Sequence, residues 1–382
     1  VAPLEPWEKV LVSQEDYLAD VHGQMQCMFC HGGVQSPEKD IAHTDLIADP
    51  GAGKTQICET CHVETNHTFN ASLHSTQEGY WTTLDARSSP EHAGALKSMF
   101  GNHCASCHTT CGDCHISQPN SVGGGLISGH AFEKTPSMTR NCTACHGSRV
   151  GNEYLGKNEG VQADVHFRAG RMNCVSCHSG MEMHDSTAAC TQCHTSGESA
   201  ELVNSKTRYA GAQVPGCEDC HTEIGADGDN IAQHSVHKEK LSCQVCHSVS
   251  YTSCDGCHVA ISETTGNPFF ETQDTYLTFL IGRNPNPNYH RPYEYVPVRH
   301  IPIDTESYAY YGENLLPNFD ALPTWAYATP HNIQRNTPQT ESCANCHGNP
   351  DIFLTIDKVN PEEVNANLKV IVEEIPAPLG AP

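Results

Sequence analysis

Residues 104–115 read CASCHTTCGDCH: two Cys-x-x-Cys-His units whose starts lie seven residues apart. The same five-residue unit recurs in both directions from this point. Upstream are Cys27, Cys30 and His31, then Cys58, Cys61 and His62. The quoted stretch holds Cys104, Cys107 and His108 with Cys111, Cys114 and His115. Downstream come Cys142, Cys145 and His146; Cys174, Cys177 and His178; and Cys190, Cys193 and His194. The series closes with Cys217, Cys220 and His221; Cys243, Cys246 and His247; Cys254, Cys257 and His258; and Cys343, Cys346 and His347. Eleven units account for all 22 cysteines of the 382-residue chain.

Four chemistries use paired cysteines, and three fail here. A zinc ribbon needs two Cys-x-x-Cys halves to supply four ligands, and eleven is an odd number of halves. A redox dithiol needs no following histidine. A disulfide framework needs neither the fixed spacing nor the histidine. Histidine is only 25 of 382 residues, so its place after every unit is not chance. The fourth chemistry fits: two thiols three positions apart add to the vinyl groups of one haem, and the next residue lies under the iron as proximal ligand. The expectation is eleven covalent haem c groups, with all 22 cysteines as attachment points and the eleven motif histidines as iron ligands.

On these motifs, which run from Cys27 to His347, the chain resembles the multihaem c-type cytochromes. The resemblance implies covalent attachment outside the cytoplasmic membrane, hence an exported protein. Val1–Ala2–Pro3–Leu4–Glu5 reads as a processed or trimmed start without a signal peptide. No apolar run approaches the roughly 18–20 residues of a membrane-spanning helix, so a soluble or partner-held chain is expected.

A second axial ligand is needed at each iron. Fourteen histidines lie outside the motifs, enough for bis-histidine ligation with three to spare. At least seven motifs have one within twelve residues upstream, as with His22 before Cys27 and His103 directly before Cys104. The expected distal set is His22, His43, His74, His103, His130, His166, His184, His234, His237, His300 and His331. His67, His92 and His290 are the spares. With histidine in surplus, methionine ligation is not required.

Composition agrees with a haem-filled interior. Hydrophobic residues are 37% of the chain, below the roughly 45–50% of ordinary domains, so the haems should stand in for an aliphatic core. Thirty glycines and 23 prolines break the chain frequently. The expected fold class is mostly irregular coil with short α-helices and very little β, wrapped around a continuous chain of haems. A helix is expected over Glu91–Phe100, after Pro90. Seven residues of extended chain span at most about 25 Å, so the haems of the quoted stretch are neighbours.

Three regions follow: a ten-haem wire over 1–258, a haem-free Tyr/Pro-rich segment over 259–342, and the last motif with a tail over 343–382. The middle segment holds eight of the 13 tyrosines and suits either packing over haem faces or docking. Within it Tyr293–Ile303 alternates in part, and its prolines restrict it to an edge or extended strand. Leu368–Ile375 reads as an edge strand or an arm onto a neighbour.

Formal charge is −24, and eleven pairs of propionates would carry it to about −46 ferrous or about −35 ferric. That balance excludes nucleic acid as partner and suits cations; a calcium ion at Gly225–Asn230 (GADGDN) is one expectation. Asp49–Thr55 (DPGAGKT) imitates a P-loop, but Ala48 stands where its first glycine belongs and no strand–helix context surrounds it. Three Asn-x-Ser/Thr sequons begin at Asn66, Asn70 and Asn141, the last running into a haem motif.

Six-coordinate irons pass electrons rather than bind substrate, so an electron carrier with no catalytic residues is expected. The favoured form resembles the extracellular filament-forming cytochromes of metal-reducing prokaryotes, a head-to-tail homopolymer meeting other cytochromes or extracellular acceptors. The alternatives are a discrete periplasmic or porin-associated conduit and, third, a multihaem reductase with one open iron. No Cys-x-x-Cys-Lys unit of the kind some such reductases carry is present. Haem storage is disfavoured, because covalent attachment prevents release.

Overall fold

A computed structural model describes residues 5, 8, 12, 14–51, 57–107, 109–184, 215–287 and 291–379. His108, His290, Cys190, Cys193 and His194 fall outside them. The described chain is mostly turns and short helices with few strands. Haem motifs start several of the helical turns: Cys27–His31, Cys111–His115 and Cys243–His247 are α-helical, and Cys58–Thr60, Cys174–Ser176, Cys217–Asp219 and Cys343–Asn345 are 3-10 turns. Thr110 caps the motif helix of Cys111–His115 reciprocally with Asp113, a capping box that satisfies two otherwise orphaned N–H groups.

The two longest helices among the described residues are Glu78–Arg87 and Ala93–His103. A 3-10 turn over Pro90–His92 starts the second, because proline fits only the first helical turn. Leu84, Leu96 and Met99 bury where these helices meet Val259 and Leu315.

Strands gather after Ser253. β1 (Ser253–Ile261) and β2 (Pro268–Leu277) form an antiparallel hairpin with an irregularity at Asp255. Cys254, Cys257 and His258 thus lie in a strand, the exception to the expectation that motifs sit on turns. β3 (Leu280–Arg283), β4 (Tyr295–His300) and β5 (Trp325–Tyr327) form a second antiparallel sheet in the order β3-β4-β5.

Two expectations need correction here. The Tyr293–Ile303 stretch supplies the central strand β4, not an edge. Pro297 is tolerated because its carbonyl faces β5, accepting from Ala328 N–H, so its missing N–H faces the same side. There the ladder with β5 has already ended at Val298. The tail is the second. Arg283 N–H donates to Val370 O and Val372 N–H to Leu354 O, and Val370, Ile371 and Val372 are buried. The tail closes its own sheet's core rather than reaching toward a neighbour. Leu280, Val296, Val298, Trp325, Leu354, Val359, Val370 and Ile371 form that core. It joins the haem-free segment to the tail, so those two regions pack as one body.

Candidate functional site

Eight motif histidines each face a histidine from outside the motifs. The ring centroids are 5.9 Å apart for His31 with His130, 6.2 Å for His62 with His22 and 6.0 Å for His115 with His184. They are 6.2 Å apart for His146 with His74, 6.3 Å for His178 with His331 and 6.0 Å for His221 with His166. The last two pairs, His247 with His234 and His347 with His237, stand at 6.2 Å and 6.3 Å. Bare imidazoles in contact would stack closer, as His22 does on Phe132 at 3.8 Å.

The common spacing matches a metal between two nitrogens. Metal–imidazole bonds of about 2 Å, with each ring centre about 1 Å behind its nitrogen, put the centroids about 6 Å apart. Angles between the paired rings run from 10° to 87°, as rotation about the bond axis allows. Two cysteines beside one member of each pair complete the residues that haem c requires. The residues present therefore fit the group.

The pairing is not local. His22 precedes Cys27 but faces His62, while His31 of that first motif faces His130. His166 passes over the motif at Cys174 to reach His221, and His331 turns back 153 positions from its own neighbour motif to His178. None of His22, His130, His166, His184, His237 and His331 faces the motif that follows it. Nearness in sequence marked residues of this kind without saying which motif they meet.

The remaining expected ligands are placed otherwise. His300, on β4, is buried with Nε2 2.8 Å from Glu363 Oε2 and its ring against Trp325. His103 has Nε2 2.9 Å from the Tyr311 hydroxyl and its ring beside Phe270 of β2. His43 is an exposed helix C-cap. Of the spares, His92 stands 3.6 Å from Glu91 and His67 lies on the helix Val63–Phe69.

Electrostatics keep several rings in the neutral form that a metal binds. Burial pushes His130, His184 and His331 below the ordinary histidine value. His166 goes the other way, raised first by its hydrogen bond to Asp164. Most other Nδ1 atoms meet carbonyls: His31 with Ile47 O at 2.8 Å, His115 with Glu133 O at 2.7 Å and His331 with Thr329 O at 2.9 Å. Such contacts fix ring orientation and leave Nε2 for the metal.

Contacts between motifs show which sites adjoin. The Cys58 and Cys111 thiols share a hydrogen bond, as do Cys107 with Cys145, Cys142 with Cys174, and Cys217 with Cys243. As free thiols, one of each pair is driven up and its partner down; as thioethers neither titrates, and only the closeness remains. Asn141, buried, donates to Asp113 O at 2.6 Å and Ser117 O at 2.9 Å, tying one motif to the next. Its amide is spent inside the fold, which removes that sequon as a sugar acceptor. Gly51 of the P-loop imitation crosses Gly112 so closely that a Cβ on Gly51 would stand 2.7 Å from the Gly112 Cα. The glycine serves that crossing.

The calcium expectation meets a different arrangement. Asp229 accepts from Gly225 N–H at 2.7 Å, Ile231 N–H at 3.0 Å and His234 Nδ1 at 2.8 Å. Those donors hold its pKa down to about 2 and occupy the carboxylate that a cation would need. Among the described residues no group of three or more His, Cys, Asp or Glu is placed to hold a metal ion. No described helix is long and apolar enough to cross a membrane.

No family model matches the chain, and no solved structure does. One curated protein is similar: the multiheme cytochrome MtrA of Shewanella baltica (strain OS185), 26% identical over 213 residues. The match takes in 50% of this chain and 62% of that protein. The chain is a distant relative of the multihaem c-type cytochromes.

Proposed function

We propose that the chain is an electron-transfer protein carrying up to eleven haem c groups, held by bis-histidine ligation at the sites where the partner is seen. The eight histidine pairs at a common 6 Å spacing carry this reading. Haem c, when bound, supplies a one-electron couple. The chain's own part is to hold each macrocycle by two thioethers, to fill both axial positions so that no substrate reaches iron, and to set sites side by side. The thiol contacts run from the Cys58 motif through Cys111, and from Cys107 through Cys145 and Cys142 to Cys174; the pair Cys217 and Cys243 stands in the later part of the chain.

The finer reading is a subunit of an extracellular head-to-tail filament, supported by haem-motif density along the chain and by its acidity. A discrete periplasmic or porin-associated conduit is the alternative. Intact mass and low-temperature EPR of the ferric protein test the first level: eleven haems and low-spin signals alone are expected. A high-spin signal would favour a reductase with an open iron. Negative-stain microscopy tests the second level, with uniform fibres expected. Dispersed particles at all salt and protein concentrations would leave the discrete conduit.

A further inference from the structure

Three of the eight histidine pairs differ from the rest in what stands behind the ring. His22 Nδ1 lies 2.6 Å from Asp20 Oδ1, His166 Nδ1 lies 2.9 Å from Asp164 Oδ1, and His234 Nδ1 lies 2.8 Å from Asp229 Oδ2. The contrast is with His331 and His237, whose Nδ1 atoms meet the carbonyls of Thr329 and Gln233. A carboxylate behind a ligand ring makes it a stronger donor than a neutral carbonyl does.

Each carboxylate is itself fixed by the backbone. Asp20 Oδ1 also accepts from His22 N–H at 2.8 Å, and Asp164 Oδ1 accepts from His166 N–H at the same distance. The two sites share one local sequence, Asp-Val-His, at 20–22 and 164–166. Asp164 is almost fully buried and accepts further from Ile333 N–H at 2.7 Å. Asp229 reaches the same end through a loop of its own, with two backbone donors.

Resting on the bis-histidine reading above, we infer that Asp20, Asp164 and Asp229 are positioning residues that set the order of potentials along the chain. They make the sites of His62, His221 and His247 harder to reduce than the carbonyl-backed sites. Negative charge at Nδ1 strengthens the Nε2 donor and favours ferric over ferrous iron. Two of the three sites adjoin, since Cys217 touches Cys243. The later part of the chain therefore holds a pair of neighbouring low-potential sites, and the earlier part a single one.

Asp20→Asn is the cleanest variant. Both recorded hydrogen bonds of Asp20 fall on Oδ1, so the amide oxygen keeps them while the charge is lost. Spectroelectrochemical titration of the intact haem-loaded protein should show about one eleventh of the absorbance change moving to higher potential. At a fixed potential near that site's midpoint the ferrous-to-ferric ratio should rise about tenfold. One low-spin EPR signal should shift with it, and Asp20→Glu should restore both. A titration and EPR spectrum superposable on wild type, with haem content unchanged, overturns the inference and leaves bis-histidine ligation standing. Wild-type protein without low-spin haem overturns the ligation reading itself.

Discussion

The part of the chain before residue 184 and the part after residue 280 hold themselves together in different ways. The later part has an aliphatic core of the usual kind: Val296, Val298, Leu354 and Val370 show no measurable exposure. The earlier part buries few large apolar side chains, chiefly Leu84, Leu96, Met99 and Phe100, all on two adjacent helices. Elsewhere it relies on histidine pairs, cysteine contacts and buried polar groups such as Asn141. An interior that must admit macrocycles and leave their ligands in place has little room for interdigitated aliphatic side chains. A pair such as His31 with His130 also closes a loop of nearly a hundred residues, and closing a long loop removes much freedom from the unfolded chain.

The largest expected effect separates the two parts outright. Protein produced without haem attachment should lose protection against hydrogen exchange and proteolysis across residues 14–184, while 280–372 keeps most of its own. Equal loss in both parts would show that the later core cannot stand without the cofactor. Next in size, Leu354→Ala should destabilise the later part by about 2–5 kcal/mol, measured by denaturant unfolding. The haem spectra of the earlier part should not change. Asn141→Ala leaves Asp113 O and Ser117 O without their donor. It should cost about 1–3 kcal/mol and show as faster amide exchange around residues 113–142 only.

The smallest effect concerns pH. Burial raises the Glu363 carboxyl, but His300, Thr324 and Asn360 together outweigh it and leave the pKa below the ordinary glutamate value. The folded pKa is thus lower than the unfolded one. The resulting stability is present above about pH 4.3 and is lost as pH falls through the folded value. Glu363→Gln should flatten this acid limb of the later part's stability curve, by about 1 kcal/mol, and leave haem spectra alone.

Much of this division could be read from residues, and part could not. The eleven motifs are local patterns, so their chemistry is visible at five-residue range. The helix expected at Glu91–Phe100 is found as Pro90–His92 followed by Ala93–His103, because Pro90 marks its start. Ligand pairing is a long-range property: nothing near His331 names His178, over 150 residues away. His300 looked like any other free histidine, and only the fold brings Glu363 to its Nε2. The later core was hidden for a similar reason. Its apolar residues come from β3, β4, β5 and the tail in short runs, none periodic enough to stand out in a chain of low average hydrophobicity. The aspartates behind the rings did leave a signal, the repeated Asp-Val-His at 20–22 and 164–166.

The central claim is that distal ligands come from distant segments of the chain. A cryo-electron microscopy map of the haem-loaded protein tests it most directly. Iron density should lie between His31 and His130, between His62 and His22, and between His178 and His331. Iron coordinated instead by a motif histidine and the histidine just upstream of that same motif, as His31 with His22, would contradict it.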